Sequence, residues 1–267
     1  MRVALCQIDV GDDPQLNLKT VRSALAEAAG ADVAVFPEAT QVRFGNPVGE
    51  FAEPLDGPFV TALGEAAREF GLAVVAGVFE PAPDGRTFNT TVVIDAAGEL
   101  AATYRKIHLF DAFAFRESEV VAPGSEPVVV QLAGVRLGLI TCYDLRFPEL
   151  ARALLDQGAE VLVVTAAWAQ GVFKEEHWTT LVRARAIENT VWTVAVGKAP
   201  DTTDPPRGGR TGVGRSLLVD PMGAAVADLG SFPGVRICDV DLALTEKVRA
   251  MIPSLSHRRP DLFAEGH

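Results

Sequence analysis

Short apolar runs rich in Val, Ile and Leu alternate along the chain with stretches in which apolar residues return every three or four positions. The runs at residues 3–8, 33–36, 72–79, 90–94, 128–132, 135–141, 161–165, 191–196, 216–219 and 235–240 read as strands. Helical spacing joins Leu18, Val21, Leu25 and Ala28, and again Phe59, Leu63, Ala67 and Phe70. Leu150, Ala153 and Leu154 predict a third helix. Trp178, Leu181, Arg185 and residues 187–188 predict a fourth, with a mixed face. Asp13-Pro14 and Gly57-Pro58 open the first two, because proline suits the first helical turn. Asp95-Ala-Ala-Gly98 and Asp220-Pro-Met-Gly223 read as hairpin turns. Strands alternating with helices call for parallel pairing, whereas hairpins call for antiparallel pairing. A mixed sheet, layered as two packed sheets with helices outside, satisfies both. No internal repeat and no linker longer than a loop divides the chain, and the Pro/Gly-rich segment 199–214 is the candidate long mobile loop.

Composition narrows the class. With 48% hydrophobic and 22% charged residues in 267, the chain is globular and long enough for a large core. Its formal charge of −11, from 24 basic and 35 acidic residues, argues against nucleic acid or an anionic membrane as partner. The opening stretch has one arginine and a short apolar run broken by Gln7 and Asp9, unlike a signal peptide. No stretch reaches the ~18 apolar residues of a membrane span, so a soluble cytoplasmic protein is expected. Cys6, Cys142 and Cys238 form neither a disulfide pattern nor, with histidine, a metal spacing.

Cys142 stands apart from the other two. It ends the apolar strand VRLGLIT and precedes Tyr-Asp-Leu-Arg-Phe-Pro-Glu, in which Pro148 and Glu149 begin a helical turn. A nucleophile at such a turn projects from the end of a sheet, with backbone N–H groups nearby to bind an anion. The plain alternative is a buried structural thiol, which is the reading for Cys6 and Cys238. A free thiol ionises near pH ~8.5, so a working one needs a base or a cation beside it. Of His108, His177, His257 and His267, only His257 follows at anything like a papain-type interval, and its flanks do not match. Glu38, after a buried-looking strand stopped by Pro37, and Lys106, in the strand-like run 101–110, are the other candidates. Their plain alternative is surface charge at strand ends.

The segments FPE (36–38), YRKIHLF (104–110), FRES (115–118) and CYDLRFPEL (142–150) resemble the nitrilase superfamily of carbon–nitrogen hydrolases. The likeness continues through TAAW (165–168), HW (177–178), RARAIENT (183–190), SLLVDPMG (216–223) and IPSLSHRRPDLF (252–263), in the family's order and across the chain. The resemblance implies a four-layer αββα sandwich of two mixed β-sheets flanked by helices. It implies one domain, 1–267, with a C-terminal arm from about residue 250, pairing into a homodimer or higher oligomer.

It also implies a Glu38–Lys106–Cys142 triad. Glu38 would be general base and acid, Cys142 the nucleophile, and Lys106 with the Tyr143 backbone N–H the oxyanion holders. Glu117 would position Lys106 or the substrate. Trp168 would line the pocket or pack in the core. Arg146, Arg183 and Arg185 are expected to hold the active-site loop by ion pairs, and His177 and Trp178 to be core. Residues 257–259 would form a solvated turn or part of the arm. No metal or cofactor is implied.

The nearest branch by motif is that of omega-amidases and deaminated-glutathione amidases, which implies ammonia release from a small linear amide through a cysteine thioester. Here only Ala112-Phe113-Ala114 joins HLFD to FRES, shorter than that branch's usual loop. The alternatives are a nitrilase, an N-carbamoyl amino acid hydrolase, an inactive binding scaffold and a redox-sensing thiol protein.

Overall fold

The computed structural model describes residues 1–112, 115–204 and 209–262. Strand β1 (Arg2–Gln7) leads through helix α1 (Pro14–Glu27) to β2 (Val33–Val35), and the single turn α2 (Val48–Phe51) precedes α3 (Pro58–Phe70). Strands β3 (Ala73–Pro81), β4 (Thr87–Ile94) and β5 (Leu100–Arg105) form an antiparallel meander. Short β6 (Asp111–Ala112) pairs with β7 (Phe115–Arg116), and β8 (Val121–Ala122) lies parallel to β4. The second half runs β9 (Val129–Leu132), β10 (Val135–Thr141), α4 (Pro148–Asp156), β11 (Val161–Ala166), α5 (Lys174–Asn189) and β12 (Trp192–Gly197). It closes with β13 (Leu217–Val219), β14 (Ala225–Asp228), β15 (Gly234–Asp239) and α6 (Leu242–Met251).

The strands make two sheets, ordered β15-β1-β2-β3-β4-β5 with β8 beside β4, and β14-β13-β12-β11-β10-β9. Each is parallel at its centre and antiparallel at its flanks. The period of two along a strand divides the first sheet's residues between two cores. Val3, Leu5, Val33, Val35, Ala73 and Val75 share a core with the second sheet. Ala4, Cys6, Ala34, Val74 and Ala76 pack under α1 and α3. Leu150 and Leu154 of α4, with Trp178, Val182 and Ala186 of α5, cover the second sheet. The result is the expected four-layer αββα sandwich with mixed sheets.

Local chemistry explains several boundaries. Asp13 caps α1 by accepting the Gln15 N–H at 2.8 Å, with Pro14 at the first helical position. Asp95 and Asp220 build the two hairpin turns alike, each side chain accepting the amides two and four residues on. The run expected as strand through residue 110 stops at Arg105. Lys106 still donates its N–H to Asn89 O at 2.9 Å, but its side chain turns to buried carboxylates. Helix α6 was not read from the periodicity. Only Thr245 and Val248 are buried on it, too few to write a stripe. Residues 205–208 of the long loop, 113–114 of the short connector and Phe263 lie outside the described residues.

One close approach matters beyond the sheet. A Cβ at Gly77 of β3 would lie 2.4 Å from Ala39 N and 2.7 Å from Glu38 Cα. The residue after β2 can therefore press on β3 only because position 77 has no side chain. Gly77→Ala is expected to cost about 1–3 kcal/mol as an overpacked contact, measured by urea unfolding at unchanged m-value. An unchanged midpoint would contradict it.

Candidate active site

Four of the residues singled out in the sequence meet in one cleft, at the ends of strands from both sheets. Glu38 leaves β2 after Pro37, and the next residue, Ala39, holds φ +57°, which bends the chain away from the strand direction. Its carboxylate is 1% exposed. Oε1 accepts from Lys106 Nζ at 2.9 Å and Asn89 Nδ2 at 2.8 Å, and Oε2 from the Ala167 N–H at 2.8 Å. Ala167 follows β11, so a carboxylate carried by the first sheet is anchored on the second.

Lys106 is equally buried. Besides Glu38 it donates to both oxygens of Glu117, at 3.1 and 2.9 Å. Glu117 sits in a short 3₁₀ turn and also accepts the Phe110 N–H at 2.6 Å and Asn89 Nδ2 at 3.1 Å. Burial works to lower the Lys106 pKa, but the charges of Glu117 and Glu38 outweigh it and hold the ammonium well above its ordinary value.

Cys142 opens a 3₁₀ turn at the end of β10 and adopts φ +49°, a left-handed conformation unusual for a residue with a side chain. The turn is held by Asp144. Its carboxylate accepts the Thr141 N–H at 3.1 Å, the Tyr104 hydroxyl at 2.7 Å and the His108 N–H at 2.8 Å, with His108 Nδ1 also at 2.8 Å. Arg185 of α5 braces it from behind, donating to the Leu145 carbonyl at 2.7 and 3.0 Å. Tyr143 is the second residue of this turn, and first-turn N–H groups generally lack a partner within their own turn. Burial pushes the Cys142 thiol well above its ordinary value and Glu38 pushes the same way, while Lys106 opposes both. The balance favours the neutral thiol at Cys142.

A cavity of about 450 Å³ opens over these groups. Glu38, Lys106, Glu117 and Cys142 line its depth, with Phe44, Phe110, Phe115, Tyr143 and Trp168 around them. Trp168 both lines the cavity and packs in the core. It is 3% exposed, and its Nε1 donates to Lys174 O at 2.8 Å. Trp178 is buried, as expected, with Nε1 on Arg215 O at 2.7 Å.

Arg185, Arg146, Arg183 and His177 depart from expectation. Arg185 holds the Cys142 turn through a backbone carbonyl, its ion pair going to Glu188. Arg146 lies over the rings of Trp168 and Tyr143, at 5.0 and 5.9 Å, because its neighbours there are aromatic. Arg183 is elsewhere, donating to Gly223 O of a hairpin turn at 2.9 Å. His177 is exposed, on the outer face of α5. His108 stacks on Phe147 at 3.7 Å and serves Asp144. Arg258 pairs with Asp156 and Arg259 with Asp261, both at the surface. Cys6 is buried in the helix-side core, where burial raises its thiol.

Sequence reasoning missed Asn89. It is 1% exposed and spans both glutamates, with Oδ1 lacking a partner among the described residues. An amide inside the strand FNTTVVI was the available signal, since a buried amide must be hydrogen-bonded. Among the described residues, no group of His, Cys, Asp and Glu could hold a metal ion. None of the described helices is long and apolar enough to cross a membrane.

The model of the carbon-nitrogen hydrolase family matches residues 2–250. A Mycobacterium tuberculosis protein described as a hydrolase is 44% identical over 97% of this chain and 95% of its own length. The deaminated glutathione amidase of Escherichia coli O157:H7 is 37% identical, covering 97% of each. The C. elegans NitFhit protein superposes with a TM-score of 0.89 at 31% identity. The match takes in 98% of this chain but only 65% of that one. An amidase from Nesterenkonia sp. AN1 superposes with a TM-score of 0.83 at 29% identity, covering 98% and 95%. That structure, of a mutant, carries the acetamide moiety of fluoroacetamide on its active-site cysteine.

Burial, Glu38 and Glu117 raise the Cys142 thiol and Lys106 lowers it, so removing the Glu38 charge should leave Lys106 opposed only by burial and Glu117. Glu38→Gln is expected to lower the pH at which Cys142 becomes a thiolate. Thiolate absorbance, compared with Cys142→Ser as blank, gives the midpoint. A midpoint that stays or rises would contradict this electrostatic arrangement.

Proposed function

The chain belongs to the carbon–nitrogen hydrolase family, and from that premise we propose that it is an amidase converting a small linear amide to a carboxylic acid and ammonia. The observation that carries the reading is the buried Lys106 ammonium, hydrogen-bonded to Glu38 and Glu117 in the cavity that Cys142 also lines.

In the proposed cycle Cys142 gives its proton to Glu38 as sulfur attacks the amide carbon. The carbonyl oxygen becomes an oxyanion held by Lys106 Nζ and the Tyr143 N–H, a role worth ~3–4 kcal/mol per donor. Glu38 returns the proton to the departing nitrogen, the C–N bond breaks, and ammonia leaves a Cys142 thioester. Water then loses a proton to Glu38 and attacks the thioester carbon. The C–S bond breaks, and sulfur takes the proton back as the acid departs. Each step moves one proton through one carboxylate. The three donors on Glu38 hold it where both sulfur and a leaving nitrogen can reach it. Glu117 would orient Lys106, which it grips with both oxygens. Trp168 and the phenylalanines would form the walls that exclude bulk water.

Similarity to deaminated glutathione amidases supports a linear amide as substrate, and deaminated glutathione belongs in the test panel. We place the protein in the cytoplasm, as a single carbon–nitrogen hydrolase domain over residues 1–267, assembled at least as a homodimer. Sedimentation at micromolar concentration is expected to give a dimer or larger, and a monomer would count against that assembly.

Ammonia release from a panel of primary amides, N-carbamoyl amino acids, nitriles and deaminated glutathione tests the chemistry. Wild type is expected to turn over an amide best, and Cys142→Ala to lose about 10³-fold or more of that rate. Activity that survives in Cys142→Ala, or that is confined to nitriles, would overturn the proposal.

A further inference from the structure

A second buried ionic cluster lies beside the cavity, made of residues with no part in the proposed chemistry. Lys198 is fully buried and pairs with Asp201, whose side chain is 1% exposed. Asp201 Oδ2 accepts the Thr211 N–H at 2.7 Å and the Thr211 hydroxyl at 3.1 Å. The Asp201 N–H in turn donates to Thr211 O at 3.0 Å. From the other side, Arg43 Nη1 lies 3.9 Å from Asp201 and donates to the Thr203 hydroxyl at 3.1 Å. The same guanidinium grips Asp12 at 2.8 Å, and Asn46 Nδ2 reaches Asp12 at 2.7 Å.

One carboxylate thus links two irregular parts of the chain, residues 41–46 on one side and 198–204 with 209–211 on the other. Each supplies a wall of the cavity, Phe44 and Gly45 from the first, Arg210 and Thr211 from the second. Among the described residues neither wall belongs to a sheet, and their β-pairing is limited to the isolated bridges Phe44↔Asn46 and Ala169↔Thr211. Lys198 and Thr211 fix Asp201 within its own segment, and the Arg43 guanidinium, 3.9 Å from Asp201 and bonded to Thr203, ties that segment to the first in place of a ladder. A buried charge cluster is a costly way to gain stability, since apolar replacements often serve as well, but it admits one geometry. A cavity wall needs a single geometry.

We propose that Asp201 is a positioning residue that holds these two walls of the cavity in fixed relation and so controls the entry and seating of amides at Cys142. The inference rests on the reading above that this cavity receives the amide. It assigns Asp201 no contact with substrate and no role in bond making.

The test uses Asp201→Asn, the double variant Lys198→Met/Asp201→Asn, which removes both charges together, and Arg43→Lys, which acts from the opposite segment. Two measurements are made on each. One is KM and kcat for the best amide of the panel. The other is the chloroacetamide concentration that half-saturates alkylation of Cys142, read by intact mass. The Asp201 variants are expected to raise KM and the half-saturating concentration about 10-fold, with kcat within about twofold of wild type. Arg43→Lys should shift both in the same direction by less. Folded variants with a lower Tm but unchanged KM and half-saturation would overturn the proposal, as would failure of all three to fold. The alkylation arm needs no turnover, so an inactive wild type would sink the amidase reading while still deciding the role of Asp201.

Discussion

A lysine ammonium at 2% exposure persists only where its charge is answered on the spot, and Glu38 and Glu117 answer it at 2.9 Å each. Taking any one of these three groups out of water costs several kcal/mol, so none is tolerable in the cleft without the others. The surroundings follow from that demand. Asn89 must span both carboxylates, and the Ala167 and Phe110 amides must take oxygens that Lys106 leaves open. The thiol, set beside negative charge in a dry site, is held neutral. In the proposed cycle its reactivity depends on where its proton can go, and the adjacent carboxylate would be the acceptor.

The two-sheet sandwich explains how residues 38, 106, 117 and 142 come to meet. Parallel strands at the centre of each sheet end on the same side, and the loops leaving those ends converge. Directly between the sheets, the Thr91 hydroxyl of β4 lies 3.0 Å from that of Thr141 in β10 and 3.2 Å from that of Thr165 in β11. Three polar side chains in a largely apolar interface resist sliding of the sheets, because a slip would leave hydroxyls unpaired in an apolar layer. Glu38 on Ala167 adds another inter-sheet bond at the cleft itself. The positions of the Glu38 carboxylate and the Cys142 thiol are thereby referred to one another through the core as well as through solvent-facing loops.

The sequence showed the strands well because a strand buried between layers must be apolar for its whole length, as 135–141 and 161–165 are. Helix α6 was hidden, since a helix that buries only Thr245 and Val248 writes almost no stripe. Glu38, Lys106 and Cys142 were each visible as reactive residue types at strand ends. Their meeting was not, because register between two sheets is a tertiary property, and it took the family's motifs to join them. Asn89 and Asp201 were harder still. A single polar residue near a strand end reads like any solvated one until its partners, 51 residues away for Asn89 and Glu38, are known. Arg146 and His177 failed as expectations for the same reason. Spacing on a helix or turn says which residues share a face, and leaves open what that face meets.

The left-handed backbone at Cys142 bears on which elements could ever serve at that position. Oxygen nucleophiles are common in hydrolases, both as serine and as threonine. A β-branched residue is strained at φ +49°, so the main chain disfavours threonine here, although the fold accepts that strain at Thr190, φ +43°. In the proposed cycle serine would lack the polarisable sulfur whose proton a carboxylate can draw off. The elbow therefore biases the residue it carries towards small unbranched side chains, and among those a thiol suits the proposed pairing with a carboxylate in place of histidine.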